Sequence, residues 1–286
     1  MSAGTAATAA LARRDGATAQ IDVDWDGRTV RIEHAWIAPE RSDRPLLIFL
    51  HEGLGSLAMW KDFPARLCAA ANVRGLVYSR PGYGGSTPRA ADERWQPDYM
   101  HRQATELLPA LLTALGVDTS GGDRPWLFGH SDGGSIALIH AARQPHSVAG
   151  VVVVAPHIRI EEFGLASIRL AREAYATTDL RGRLARYHHD VDSAFWGWNH
   201  IWLDPAFASW TIEADLPKLA CPVLAVQGLD DEYGTLEQIH GIARRAPQTC
   251  LLELADCGHA AHRDQPERLI AEVSRFISRH TEGDKA

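Results

Sequence analysis

Six short apolar runs stand along the chain with helix-compatible stretches between them: Pro45–Leu50, Gly75–Tyr78, Pro125–Phe128, Val148–Ala155, Val223–Gln227 and Leu251–Leu254. Each is of strand length and apolar at successive positions, so it must bury both faces, and a parallel sheet covered by helices on both sides meets that demand. Helices fit the intervals at Trp60–Ala71, Asp98–Leu115, Ser135–Arg143, Leu236–Arg245 and Glu267–Arg279, the last with Asp264 and Glu267 spaced as a capping box. Ahead of the first run, Gln20–Trp25 and Thr29–Ile37 alternate in polarity around Asp26-Gly27, a strong two-residue hairpin signal. The sheet is therefore expected to open with an antiparallel pair and to reach eight strands, doubly wound and mostly parallel, in an α/β fold.

One interval is too long for a single crossover. Residues 156–221 separate the fourth run from the fifth, with helical patterns at Glu161–Ala176, Leu180–His188 and Ser193–Leu203, and are expected to form an inserted helical cap over the carboxyl ends of the strands. The chain then divides into a disordered leader (1–19), a first part of the core (20–157), the cap (158–217) and a second part of the core (218–281). His188-His189 reads as a solvated edge of the cap.

Composition narrows the partners. A net charge of −7 with no basic stripe argues against nucleic acid, and no apolar stretch approaches membrane-spanning length. The first fifteen residues lack the apolar core of a secretion signal, so a cytoplasmic location is expected, with a small-molecule substrate as partner and no reading of oligomeric state. The four cysteines show no CxxC spacing, which implies neither disulfides nor zinc, and Cys257 reads as buried filler.

The chemistry starts at Gly129-His130-Ser131-Asp132-Gly133, at the junction of an apolar run with a helical stretch. Glycine two residues before and two after a serine is what a sharp nucleophile elbow requires, because both places press on neighbouring backbone. Taking Asp132 as the nucleophile would put the His130 imidazole where a small residue is needed, so Ser131 is the candidate. A serine hydroxyl needs a general base, and the base an orienting carboxylate. The loop after the fifth run offers Asp230, Asp231 and Glu232, and the loop after the sixth offers His259. His262 lies three residues further, but without cysteines or an HExxH helix this pair implies no metal, and no cofactor is expected. The elbow supplies one backbone donor for an oxyanion, the N–H of Asp132.

From about Gln20 to His280 the sequence resembles the α/β-hydrolase superfamily of serine hydrolases. The resemblance implies a Ser131–His259–Asp231 triad, Asp231 being the acid three residues after Gly228. It also likens His51-Glu52-Gly53-Leu54-Gly55-Ser56 to the family's histidine-glycine oxyanion loop, which implies Gly53 as the second donor, with Leu54 as the alternative because Glu52 replaces a usual glycine. Arg80, at a position where the family often has an acid, is expected to pair with the Glu52 carboxylate. Trp198, Trp202 and Phe195, at helical spacing in the cap, and His130 are candidates to bind substrate. The activity expected is cofactor-free hydrolysis of a small carboxylic ester. Carbon–carbon hydrolysis of aromatic ring-cleavage products and thioester or lactone hydrolysis stand as alternatives, with a non-catalytic ligand receptor as the alternative of another class.

Overall fold

The computed structural model describes residues 16–119 and 124–282. Its centre is an eight-stranded sheet: β1 (Thr18–Trp25), β2 (Arg28–Ile37), β3 (Leu46–Leu50), β4 (Arg74–Tyr78), β5 (Trp126–His130), β6 (Gly150–Val154), β7 (Val223–Gly228) and β8 (Thr249–Leu254). They lie in the order β1-β2-β4-β3-β5-β6-β7-β8. The first two pairings are antiparallel and all others parallel. The hairpin turns at Asp26 and Gly27 with φ of 57° and 70°, the mirror-image turn that this dipeptide favours.

The strands alternate between two cores, as both-face burial requires. Leu47 and Phe49 face Phe63, Leu67, Leu269, Val273 and Phe276 from helices Phe63–Ala71 and Pro266–Glu282. Leu46, Ile48 and Leu50 face the opposite layer, where Leu107, Leu111, Ile136 and Ile139 belong to the Tyr99–Ala114 helical stretch and to helix Asp132–Arg143. The Tyr99–Ala114 stretch contains a π turn over Gln103–Leu107 just before Pro109.

Several expectations need correction. β1 begins at Thr18, inside the expected leader, whose residues 1–15 lie outside the described residues. β8 is the sheet edge and is not buried on both faces: Leu251 is exposed, and among the described residues no ninth strand pairs with β8. Asp264 and Glu267 form no capping box, since Asp264 accepts the Gly258 N–H at 3.0 Å and Glu267 pairs with Arg66.

Between β6 and β7 the chain builds helices Glu162–Thr177, Leu180–Leu184 and Val191–Trp202. His188 of this insert is buried, not solvated: Nδ1 accepts from Gly84 N–H and Nε2 donates to the Leu54 carbonyl, both at 3.0 Å.

Candidate active site

Ser131 connects β5 to helix Asp132–Arg143 with φ 52° and ψ −117°, a conformation that non-glycine residues rarely adopt. The neighbouring glycines make it possible. A Cβ at Gly129 would strike the Gly133 carbonyl, and one at Gly133 would strike the carbonyl of Leu50. The Ser131 N–H is fixed to the Val154 carbonyl at 2.9 Å. The Asp132 carboxylate turns into the protein, accepting Tyr99 OH at 2.8 Å and Trp202 Nε1 at 3.2 Å with Arg80 Nη2 at 3.7 Å. It is thereby engaged away from a nucleophile's position. Burial pushes this carboxyl above its ordinary pKa, opposed by Arg80 and the two hydrogen bonds.

His259 and Asp231 come together from the loops after β8 and β7. His259 Nδ1 lies 2.9 and 3.0 Å from the two Asp231 oxygens. Gln227 Nε2 and the N–H groups of Tyr233 and Gly234 also donate to that carboxylate. Burial alone would raise the Asp231 carboxyl, but the His259 hydrogen bond and charge outweigh it and hold the pKa below the ordinary value. A carboxylate at Nδ1 assigns the proton to that nitrogen and leaves Nε2 as the basic one. Asp230 does not reach the imidazole. Glu232 Oε2 accepts the His259 N–H at 3.2 Å, and Thr235 is held by Glu161.

The loop after β3 is shaped from below. The Arg80 N–H donates to His51 Nε2 at 3.0 Å, so the His51 proton sits on Nδ1 and donates to the Glu52 carbonyl at 2.7 Å. Arg80 Nη2 donates to the same carbonyl at 2.8 Å. The expected Arg80–Glu52 ion pair is therefore absent: the guanidinium is drawn to the Glu52 backbone and to Asp132. The Glu52 carboxylate instead faces His130, with Oε2 3.4 Å from Nδ1. Burial opposes ionisation of Glu52, but His130 prevails and holds the carboxyl well below the usual carboxylate range. His130 Nε2 lies 2.9 Å from the His259 carbonyl, so one imidazole links the loops after β3 and β8.

Ser131 and His259 line a cavity of about 180 Å³ together with Gly53, Leu54, His130, Trp198 and Trp202. Phe195 is not among its walls; it stacks on Tyr175 with centroids 3.7 Å apart and packs the insert. Glu52, His157, Ile168, Glu232, Tyr233, Ala260 and Arg263 complete the lining; of these the sequence offers Glu232 as a candidate acid and Glu52 as part of the oxyanion loop, and it assigns the other five no role. Among those five, His157 carries a readable signal, a polar residue within three positions of the end of the buried strand β6. Larger hollows of about 370 and 560 Å³ near Arg94 and Arg31 are lined by neither Ser131 nor His259. His262 packs against the rings of Trp60 and His130, each 4.9 Å away, and among the described residues no group of three or more His, Cys, Asp or Glu could hold a metal ion. No described helix is long and apolar enough to cross a membrane.

Residues 47–273 match the family model described as "Alpha/beta hydrolase family". A curated relative, 2-succinyl-6-hydroxy-2,4-cyclohexadiene-1-carboxylate synthase of Serratia proteamaculans, is 25% identical over 263 residues, covering 82% of this chain and 94% of its own length. The synthase of the same name from Yersinia pseudotuberculosis is 27% identical, with coverages of 82% and 88%. Among solved structures, a thermophilic esterase from Thermogutta terrifontis superposes with a TM-score of 0.69 at 19% identity, covering 93% of this chain and 99% of that one. The enol-lactonase from Burkholderia xenovorans LB400 gives 0.68 at 20% identity, with coverages of 90% and 99%.

Proposed function

The chain belongs to the alpha/beta hydrolase family, and on that premise we propose that it is a cofactor-free serine hydrolase that cleaves a small carboxylic ester. The observation that carries this reading is the Asp231–His259 pair, at 2.9 Å, beside the cavity that the strained Ser131 lines. Ser131 Oγ attacks the acyl carbon as His259 Nε2 takes its proton, and Asp231 stabilises the imidazolium that forms. The N–H groups of Asp132 and Gly53 receive the oxyanion; loss of a single donor in such a hole costs roughly 2.7–4 kcal/mol in the barrier. His259 returns the proton to the leaving alcohol, and a water activated by the same base releases the acid. The helical insert serves as the cap, with Trp198 and Trp202 walling the acyl side.

A second reading has a specific observation behind it. Arg263 lines the cavity, which suits a carboxylate on the substrate. The synthase relatives are named for a carboxylate product, so the same triad could act as a base in carbon–carbon chemistry on a carboxylated substrate.

A fluorophosphonate probe with wild type and Ser131→Ala, run beside short p-nitrophenyl esters, tests the first reading. Labelling and turnover that both vanish in the variant support it. Labelling without ester turnover moves the assignment to the carbon–carbon reading, and absence of labelling rejects an activated serine.

A further inference from the structure

His157 stands at the carboxyl end of β6 and has no part in the proposed triad. Its backbone is pinned: the N–H donates to Ser135 Oγ at 3.1 Å, and its carbonyl accepts from that hydroxyl at 2.7 Å. The ring packs 4.8 Å from Trp202 and 6.1 Å from His259, measured between centroids. It is only 4% exposed, yet it lines the Ser131 cavity. Burial takes its pKa down to about 3, so at neutral pH the ring offers one donor and one acceptor.

A neutral imidazole held rigidly at a cavity wall, with its nitrogens open to the cavity and not committed to protein partners, presents one donor and one acceptor to whatever fills that space. Trp202 beside it, with Ile168 and Trp198, gives the cavity one apolar wall. The cavity volume, about 180 Å³, is close to that of cavities that hold a single benzene ring. Space and chemistry together select a compact acyl group with one hydrogen-bonding oxygen.

We infer that His157 is a specificity-determining residue that hydrogen-bonds a hydroxyl or carbonyl within a few bonds of the reacting carbonyl, so that short hydroxy- or oxo-acyl esters are preferred over plain alkanoates. The inference rests on the serine-hydrolase reading of the site. A pocket built to bond a substrate oxygen discriminates strongly against the analogue that lacks it, because its own polar group is then left unpaired.

The experiment compares methyl butyrate, methyl 3-hydroxybutyrate and methyl 3-oxobutyrate on wild type, His157→Leu and His157→Asn, with fluorophosphonate labelling of Ser131 measured in each. Wild type is expected to favour the oxygenated esters by about tenfold or more in kcat/KM. In His157→Leu that ratio falls to near one, and His157→Asn, which keeps a donor and an acceptor, recovers part of it. If an ester binds without turnover, its protection of Ser131 from the probe supplies the same ratio. If His157→Leu does not fold, His157→Asn and His157→Gln are read instead, and an unchanged ratio in both overturns the inference. Equal rates on all three esters in wild type, or an equal loss on all three in the variants, overturns it while leaving the hydrolase reading intact. Absence of labelling in wild type overturns both.

Discussion

The indole of Trp198 occupies the space that a Cβ on residue 53 would need, so Gly53 is held to glycine by the helical insert. The same glycine is the proposed oxyanion donor. Gly53→Ala should therefore lower kcat/KM on a short ester by about 10- to 100-fold, because the displaced loop misaims its N–H. Adding Trp198→Ala should restore part of the loss, and a double-mutant cycle would measure the coupling.

Asp231 and Asp230 are adjacent in sequence, but only Asp231 meets His259 Nδ1. Asp231→Asn should reduce kcat by about 10³- to 10⁴-fold by favouring the wrong tautomer of His259. Asp230→Asn should stay within about twofold of wild type. Similar losses in the two variants, measured by steady-state kinetics, would reassign the acid.

A cavity of about 180 Å³ leaves room for a short acyl chain only. Across p-nitrophenyl esters from acetate to decanoate, turnover should peak at about four carbons or fewer. Trp198→Ala, which empties one wall, should move the optimum to longer chains; a decanoate optimum in wild type would contradict the wall assignment.

Acid stability should follow the buried imidazoles. Burial holds both His157 and His262 at a pKa of about 3, against 6.5 for a free side chain. Between about pH 6.5 and 3 the unfolded chain binds protons at these rings that the folded chain refuses, so folding free energy falls as pH drops through that window and is flat above it. The limiting slope is about 1.4 kcal/mol per pH unit for each histidine. Urea titrations at pH 7.5, 6 and 5 should give that fall, and His262→Gln should remove that ring's share of it; equal stability at all three pH values would contradict it.

Much of this molecule was legible because its determinants are local. Central strands buried on both faces appear as unbroken apolar runs, Asp26-Gly27 dictates a turn, and the elbow glycines frame Ser131 at fixed spacing. That Asp231 and His259 meet was legible too, since each sits on a short loop just after a recognisable strand. What escaped depends on neighbours distant in sequence. Leu251 resembles a core residue and is exposed only because β8 lies at the sheet edge. Glu52 turns to His130 and not to Arg80 because Arg80 is already engaged by the Glu52 carbonyl and Asp132. His188 has nothing in its local sequence to announce that it bonds Leu54 and Gly84.

The insert is bolted to both halves of the site. Glu161 holds Thr235, and Ser167 Oγ bonds the Glu232 carbonyl at 2.5 Å, beside the loop carrying Asp231. At the other end His188 grips Leu54. A hinge that swung this insert away as one body would drag Asp231 and residues 52–54 out of register together. Guests must then be admitted by local yielding of side chains around Trp198. For the same reason, transplanting the insert of a relative to change what the protein accepts would misalign the machinery unless residues 52–54 and 230–235 travelled with it.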